Sequence, residues 1–308
     1  MEAKKSIFES IKDGVVGTIS GTGDVAKAVV DTVAGTLTHT FKGTSTVGTS
    51  LIEAVSDVGR AAIRGTTDVG GDVGAAAKGA VIGVLRGTKE TSVEATDAIK
   101  TTVGSVIRGT SDVAGDMGKA AEGAIQGAIS GAKEVGLNVA DATAAATNGV
   151  LKSASEVISG TGKAGSAFIE SSSGVIRSTI NAVIQVGGDV GSGAQGAVLG
   201  VLQGTKAGGK EALETISATS SSVVKGTSDV AGDVAKAAKG AVQGAIAGAK
   251  EISLDTTEAA SAAATGALKA AGEISSQGGA TGAQCGNRNH LRRKSYFKGT
   301  FQVRLISE

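Results

Sequence analysis

The chain has 308 residues with 49 glycines, no proline, no tryptophan and only 2% aromatic residues, at a formal net charge of +1. Abundant glycine without proline excludes collagen and proline-rich linkers, 41% hydrophobic residues exclude a Gly/Ser tether, and the single Cys285 excludes a disulfide scaffold. Near-zero charge offers no basic face for nucleic acid, and the shortage of aromatic bulk argues against a large enzyme core.

The opening MEAKKSIFESIKDGVV (residues 1–16) reads as a helix start, with Glu9 and Asp13 where a signal peptide needs an apolar run. No stretch of about 18 uninterrupted apolar residues follows, so no transmembrane segment is expected. The chain is therefore read as intracellular, either cytoplasmic or peripheral on a membrane or granule. His39, the first of two histidines, is expected to be an exposed polar residue.

From residue 17 to 282 the chain is repetitive. Gly21, Gly43, Gly65, Gly87, Gly109 and Gly131 stand 22 residues apart; after a step of 29 to Gly160 the ladder passes Ala182 and resumes at Gly204, Gly226 and Gly248. Thr usually follows the glycine, an apolar residue stands two before it, and Lys or Arg often fills the place between, as at Arg64, Arg86, Arg108 and Lys225. A longer period contains this one. Residues 108–135 recur as 225–252, an offset of 117, and the same offset carries 51–159 onto 168–276.

Twenty-two is twice eleven, and eleven residues make about three α-helical turns. Over 223–252, turning about 98° per residue gathers Val230, Val234, Val242, Ile246 and Ile252 into an apolar arc of roughly 130°. Val113 is the counterpart of Val230 in the first copy. Lys225, Lys236, Lys239 and Lys250 lie opposite, and Asp229 and Asp233 read as a solvated flank. The seven extra residues of the 29-residue step rotate this face by only about 30°, so the stripe continues past it.

Glycines line one edge of the arc at four-residue spacing: Gly79, Gly83 and Gly87; Gly123, Gly127 and Gly131; Gly196, Gly200 and Gly204; Gly240, Gly244 and Gly248. Such a strip lets another helix approach closely, as in a glycine zipper, or it reflects the composition of a Gly/Ala-rich repeat. Each helix-interior glycine costs about 1 kcal/mol relative to alanine, so the helices need a partner surface. The Gly-Thr steps either end one helix and start the next, giving hairpins, or are soft points in a continuous helix. The absence of proline and the place of Thr227 inside the arc favour continuous runs.

Candidate chemistry is sparse. GTGKAG (160–165) and GSGAQG (191–196) satisfy a dinucleotide-binding pattern, but neither follows an evident strand, and Ala164 stands where a phosphate-binding loop needs Ser or Thr. His39 and His290 are far apart in sequence, so no histidine-based metal cluster or triad is expected. No catalytic residue, cofactor site, metal site or small-molecule substrate is predicted.

Residues 283–308, AQCGNRNHLRRKSYFKGTFQVRLISE, are read as a non-repeat tail. They hold Cys285, His290 and three of the six aromatics, and 295–306 partly alternates as a strand would. The tail is a docking peptide, the stub of a further domain, or a scar of expression or reading frame, the last two being favoured.

The segments KGAVQGAIAGAKE and RGTKETSVEATDAIKTTVGSVIRGT resemble the eleven-residue repeats of perilipins and synucleins, and the 22-residue period is similar to that of exchangeable apolipoproteins. The same texture resembles late embryogenesis abundant proteins. The first resemblance implies helices that coat a lipid droplet, granule or membrane; the second implies a stress protectant. On a lipid surface, Lys and Arg near the interface can reach towards headgroups. The expectation is thus an all-α protein of tandem amphipathic helices, as long helices or a folded-back bundle. Its expected partners are a lipid surface or other helices, including its own copies.

Overall fold

In the computed structural model, residues 7–22, 24–42, 49–89, 94–159, 166–205 and 209–276 are described. They are all-α, with no strand among them. The helices are α1 (Ile7–Thr22), α2 (Val25–Lys42), α3 (Thr49–Asp68), α4 (Val73–Thr88), α5 (Ala95–Asp112) and α6 (Met117–Val135). They continue as α7 (Val139–Ser159), α8 (Ser166–Gln185), α9 (Val190–Thr205), α10 (Gly209–Asp229) and α11 (Val234–Glu251). A further helix, α12, covers 256–276. GTGKAG, His290 and the tail lie outside the described residues.

Each 22-residue unit makes one helix and its turn: α4, α5, α6 and α7 begin at Val73, Ala95, Met117 and Val139. Sequence pattern favours continuous runs, and the structure corrects this: α1 to α11 are 16–21 residues long. Four of the breaks fall a few residues past the Gly-Thr step of the unit, or past Ala182-Val183 in its place, at Val-x-Gly-Asp: 69–72, 113–116, 186–189 and 230–233. Three backbone features make the break. The second turn residue is left-handed, Gly70 at φ 68° and Gly187 at φ 63°, with alanines at Ala114 (51°) and Ala231 (53°). The next amide then reaches back to close the Schellman motif, Gly71 N–H to Thr66 O at 2.9 Å and Gly232 N–H to Thr227 O at 2.8 Å. Finally the aspartate caps the next helix: Asp72 accepts from Ala75 N–H at 2.6 Å and Asp233 from Lys236 N–H at 3.0 Å. Proline is not needed to end these helices.

The helices stack in two rows. Odd-numbered helices pack on odd, α1–α3–α5–α7–α9–α11, and even on even, α2–α4–α6–α8–α10, with consecutive helices also touching between rows. Gly266 of α12 meets the Ser217 backbone of α10, which extends the even row. The result is a two-layer helical stack in which each helix packs mainly on the helices two before and two after it, the architecture of an α-solenoid. The core runs along it as small side chains: Val29, Val33, Val58, Val81, Val103, Ile125, Ala128 and Val198 are fully buried. The apolar residue two before most of the ladder glycines forms its spine, with Ile63, Leu85, Ile107, Ile129, Leu202 and Val224 at 0–1% exposure.

The duplicated unit holds five helices, since the 117-residue offset carries α3, α4, α5, α6 and α7 onto α8, α9, α10, α11 and α12. Five is odd, so each copy lands in the opposite row from its original.

Candidate functional site

The residues singled out in sequence form a series of helix contacts rather than one pocket. On α4, a Cβ added at Gly83 would lie 2.8 Å from Val33 Cβ and 3.1 Å from Val30 O of α2, and at Gly87 2.9 Å from Leu37 Cβ. Gly79 would place one 2.5 Å from Ala26 O and 2.9 Å from Val29 Cβ. On α6, Gly123 meets the Gly74 carbonyl, Gly127 would place a Cβ 2.6 Å from Lys78 O, and Gly131 one 2.7 Å from Leu85 Cδ1. The second copy repeats this one row over. Gly196, Gly200 and Gly204 of α9 meet Ala140, Ala144 and Leu151 of α7, and Gly240, Gly244 and Gly248 of α11 meet Gly191, Gln195 and Leu202 of α9. All these glycines except the half-buried Gly204 are buried. An alanine methyl would clash at most of them, so the backbones approach to a distance that only glycine permits.

The GSGAQG segment belongs to this packing. Gly191 and Gly196 lie on α9, one under Gly240 and the other over Ala140. Neither sits in a strand-to-helix loop.

The apolar-arc residues are placed less deeply. Val113 ends α5 and Ile252 ends α11, while Val230 lies in the turn before α11. Val113, Val230, Val234, Val242, Ile246 and Ile252 are all half-buried. Thr227, placed by sequence inside the apolar arc, is fully buried, and its hydroxyl donates to Val223 O at 2.8 Å.

The cations before the ladder glycines pair with carboxylates on neighbouring helices of the stack. Arg86 Nε donates to Glu134 Oε2 at 2.8 Å, Arg108 Nη1 to Glu156 Oε2 at 3.0 Å, and Lys225 Nζ lies 2.6 Å from Glu273 Oε2. Arg64 stands 3.7 Å from Asp112 and over the Phe8 ring at 5.7 Å. These carboxylates stand 48 residues after their cation, two 22-residue units plus one helical turn. Gln203 keeps the same spacing without charge, donating to Glu251 at 2.8 Å. Lys12 with Asp68 and Arg177 with Asp229 join further neighbours in a row.

Asp229 and Asp233, read as a solvated flank, are exposed but occupied, the first by Arg177 and the second as a helix cap. Hydrogen bonds from the backbone and hydroxyl of Ser192, with Lys236 nearby, hold the Asp189 carboxyl below the usual range. The backbone amides of Glu258 and Thr257 do the same for Asp255. The glutamate partner raises the already high pKa of Arg86. His39 is exposed. Among the described residues no group of three or more His, Cys, Asp or Glu is placed to hold a metal ion, and no helix is long and apolar enough to cross a membrane.

The capping aspartates and the 48-residue charge ladder escape sequence reasoning. Val-x-Gly-Asp recurring 44 residues apart, at 69 and 113 and again at 186 and 230, is the signal that marks the turns. In comparison with known proteins, no family model matches the chain and no curated protein aligns with it.

Proposed function

We propose that the chain is a non-enzymatic structural protein, a stacked helical scaffold whose partners are other helices, copies of itself included. One observation carries this reading: the apolar stripe and glycine strips that make each helix amphipathic are spent against neighbouring helices of the same chain. Val33, Val81, Val198 and Leu202 are buried to 0–1% exposure. Charge pairs between neighbours in a row accompany that burial. Helices too glycine-rich to hold alone thereby support one another, which is how a repeat stack gains stability.

A lipid coat made from the same repeats would require the stack to open, because the face that would meet lipid is the face that packs. Circular dichroism of the full chain in buffer, with phospholipid vesicles and on drying separates the readings. The scaffold predicts full helicity in buffer and no gain with vesicles. Helicity that arises only on vesicles would replace it with a lipid coat, and helicity that arises only on drying with a stress protectant.

A further inference from the structure

Among the described residues the odd row ends at α11, and its outer face is only partly covered. Forty-four residues earlier, the matching face of α9 is covered by α11 itself: Ala194, Val198 and Leu202 are 0–1% exposed. Their counterparts on α11, Ala238, Val242 and Ile246, are only half-buried. Repeat stacks require a cap at such an end, because the last unit otherwise exposes a face built to be packed.

We propose that this face is covered in cis by residues 294–303 of the tail, as a thirteenth helix of the stack. The template is the first copy, in which α8 follows α7 and lies against α6. There Gln126 Nε2 donates to Gln185 Oε1 at 2.9 Å, and Lys133 Nζ donates to the carbonyls of Val186 (2.6 Å) and Gly187 (2.8 Å) at the end of α8. Shifted by 117 residues, α6 becomes α11, Gln126 becomes Gln243 and Lys133 becomes Lys250, both exposed on α11. The same shift turns Gln185 into Gln302 and Val186 into Val303.

The intervening residues follow the pattern. RSTINAVIQV (177–186) is matched by KSYFKGTFQV (294–303), with Phe297 and Phe301 for Ile180 and Ile184 and Gly299 for Ala182. Phe297-Lys298-Gly299-Thr300 is the ladder motif itself, 234 residues, or two offsets, beyond Ile63-Arg64-Gly65-Thr66. Thus the tail departs from the repeat in composition, yet it holds the ladder in the longer register. The correspondence stops at Arg292 and Arg293, which replace Val175 and Ile176. The reach is sufficient, since 277–293 between α12 and the matching segment is as long as 160–176 between α7 and RSTINAVIQV.

Disulfide trapping in the full chain tests the proposal. With Cys285→Ser as background, Gln243→Cys with Gln302→Cys should link within one chain under mild oxidation. The rate should be at least about tenfold that of Glu258→Cys with Gln302→Cys, because docking raises the effective concentration of the pair. Gln126→Cys with Gln185→Cys is the positive control. Linkage between chains would assign the face to a second copy and overturn the proposal. Absence of linkage while the control pair forms would overturn it too. Hydrogen exchange of the unsubstituted chain gives an independent readout: slowed amides over 297–303 are expected, and exchange at unstructured rates overturns the docked helix.

Discussion

Arg108 and Glu156 stand 48 residues apart in sequence and meet at 3.0 Å across α5 and α7. The same spacing joins Arg64 to Asp112, Arg86 to Glu134 and Lys225 to Glu273. Their side chains are about a third to a half exposed, so each pair is screened and contributes little alone. Arg86→Gln should lower stability by no more than about 0.5 kcal/mol in urea unfolding at moderate salt. A loss above about 1 kcal/mol would mean that the ladder is a main source of stability instead of a register device.

Glycine substitutions should divide by what they face. Gly127→Ala gains helix propensity but sets a methyl 2.6 Å from Lys78 O, so α6 must move from α4, at a net loss of about 1–3 kcal/mol. Gly35→Ala meets nothing within 4 Å and should raise stability by about 0.5–1 kcal/mol. Equal effects in thermal unfolding would show that the strip sets no helix spacing.

At the turn before α11, Ala231 holds φ 53°, where the matching turn of α8 has Gly187 at 63°. Left-handed backbone disfavours a Cβ, so Ala231→Gly should stabilise by up to about 1 kcal/mol despite glycine's freedom in the unfolded chain. The change in denaturation midpoint reads this directly.

Thr66 and Thr110 occupy the same ladder position with different hydroxyl environments. Thr110 donates to Val106 O at 2.9 Å, whereas the buried Thr66 hydroxyl has no protein partner. Thr66→Val should therefore be neutral or stabilising by up to about 1 kcal/mol, and Thr110→Val should cost about as much. An identical pair of unfolding curves would count against this assignment.

The lowered Asp189 and Asp255 carboxyls fix a pH dependence. A folded pKa below the unfolded value, about 3.9, gives stability that is fully present above that value and lost as pH falls through the folded one. Stability should be flat near neutrality on this account and decline in acid. Asp189→Asn should lower the neutral plateau and flatten the acid limb; an unchanged acid limb would remove this cap as a cause.

The local period is legible in the order of the amino acids alone. Helix, the 22-residue unit, the apolar stripe and the glycine strip depend on residues within a few turns of one another, and the sequence displays them. The turns are half-visible. Gly-Thr marks the unit correctly, but the break sits beyond it, where a left-handed residue and a capping aspartate act together, and neither Gly70 nor Asp72 is conspicuous alone in a glycine-rich chain. The charge ladder stays hidden because its partners are 48 residues apart, a distance with no meaning until helices return to the same row.

The sequence by itself determined the type of element and the periodicity, because backbone hydrogen bonding and side-chain spacing act locally. Only the tertiary structure decided what the small face touches. It directed Gly127 onto Lys78 and Gly244 onto Gln195, sent the five-helix copy into the opposite row, and turned the cations of the ladder towards neighbouring helices. Those outcomes follow from which helix lies beside which, and an amphipathic stripe of Val, Ala and Gly fits a lipid surface or another helix equally well until the chain supplies the second helix.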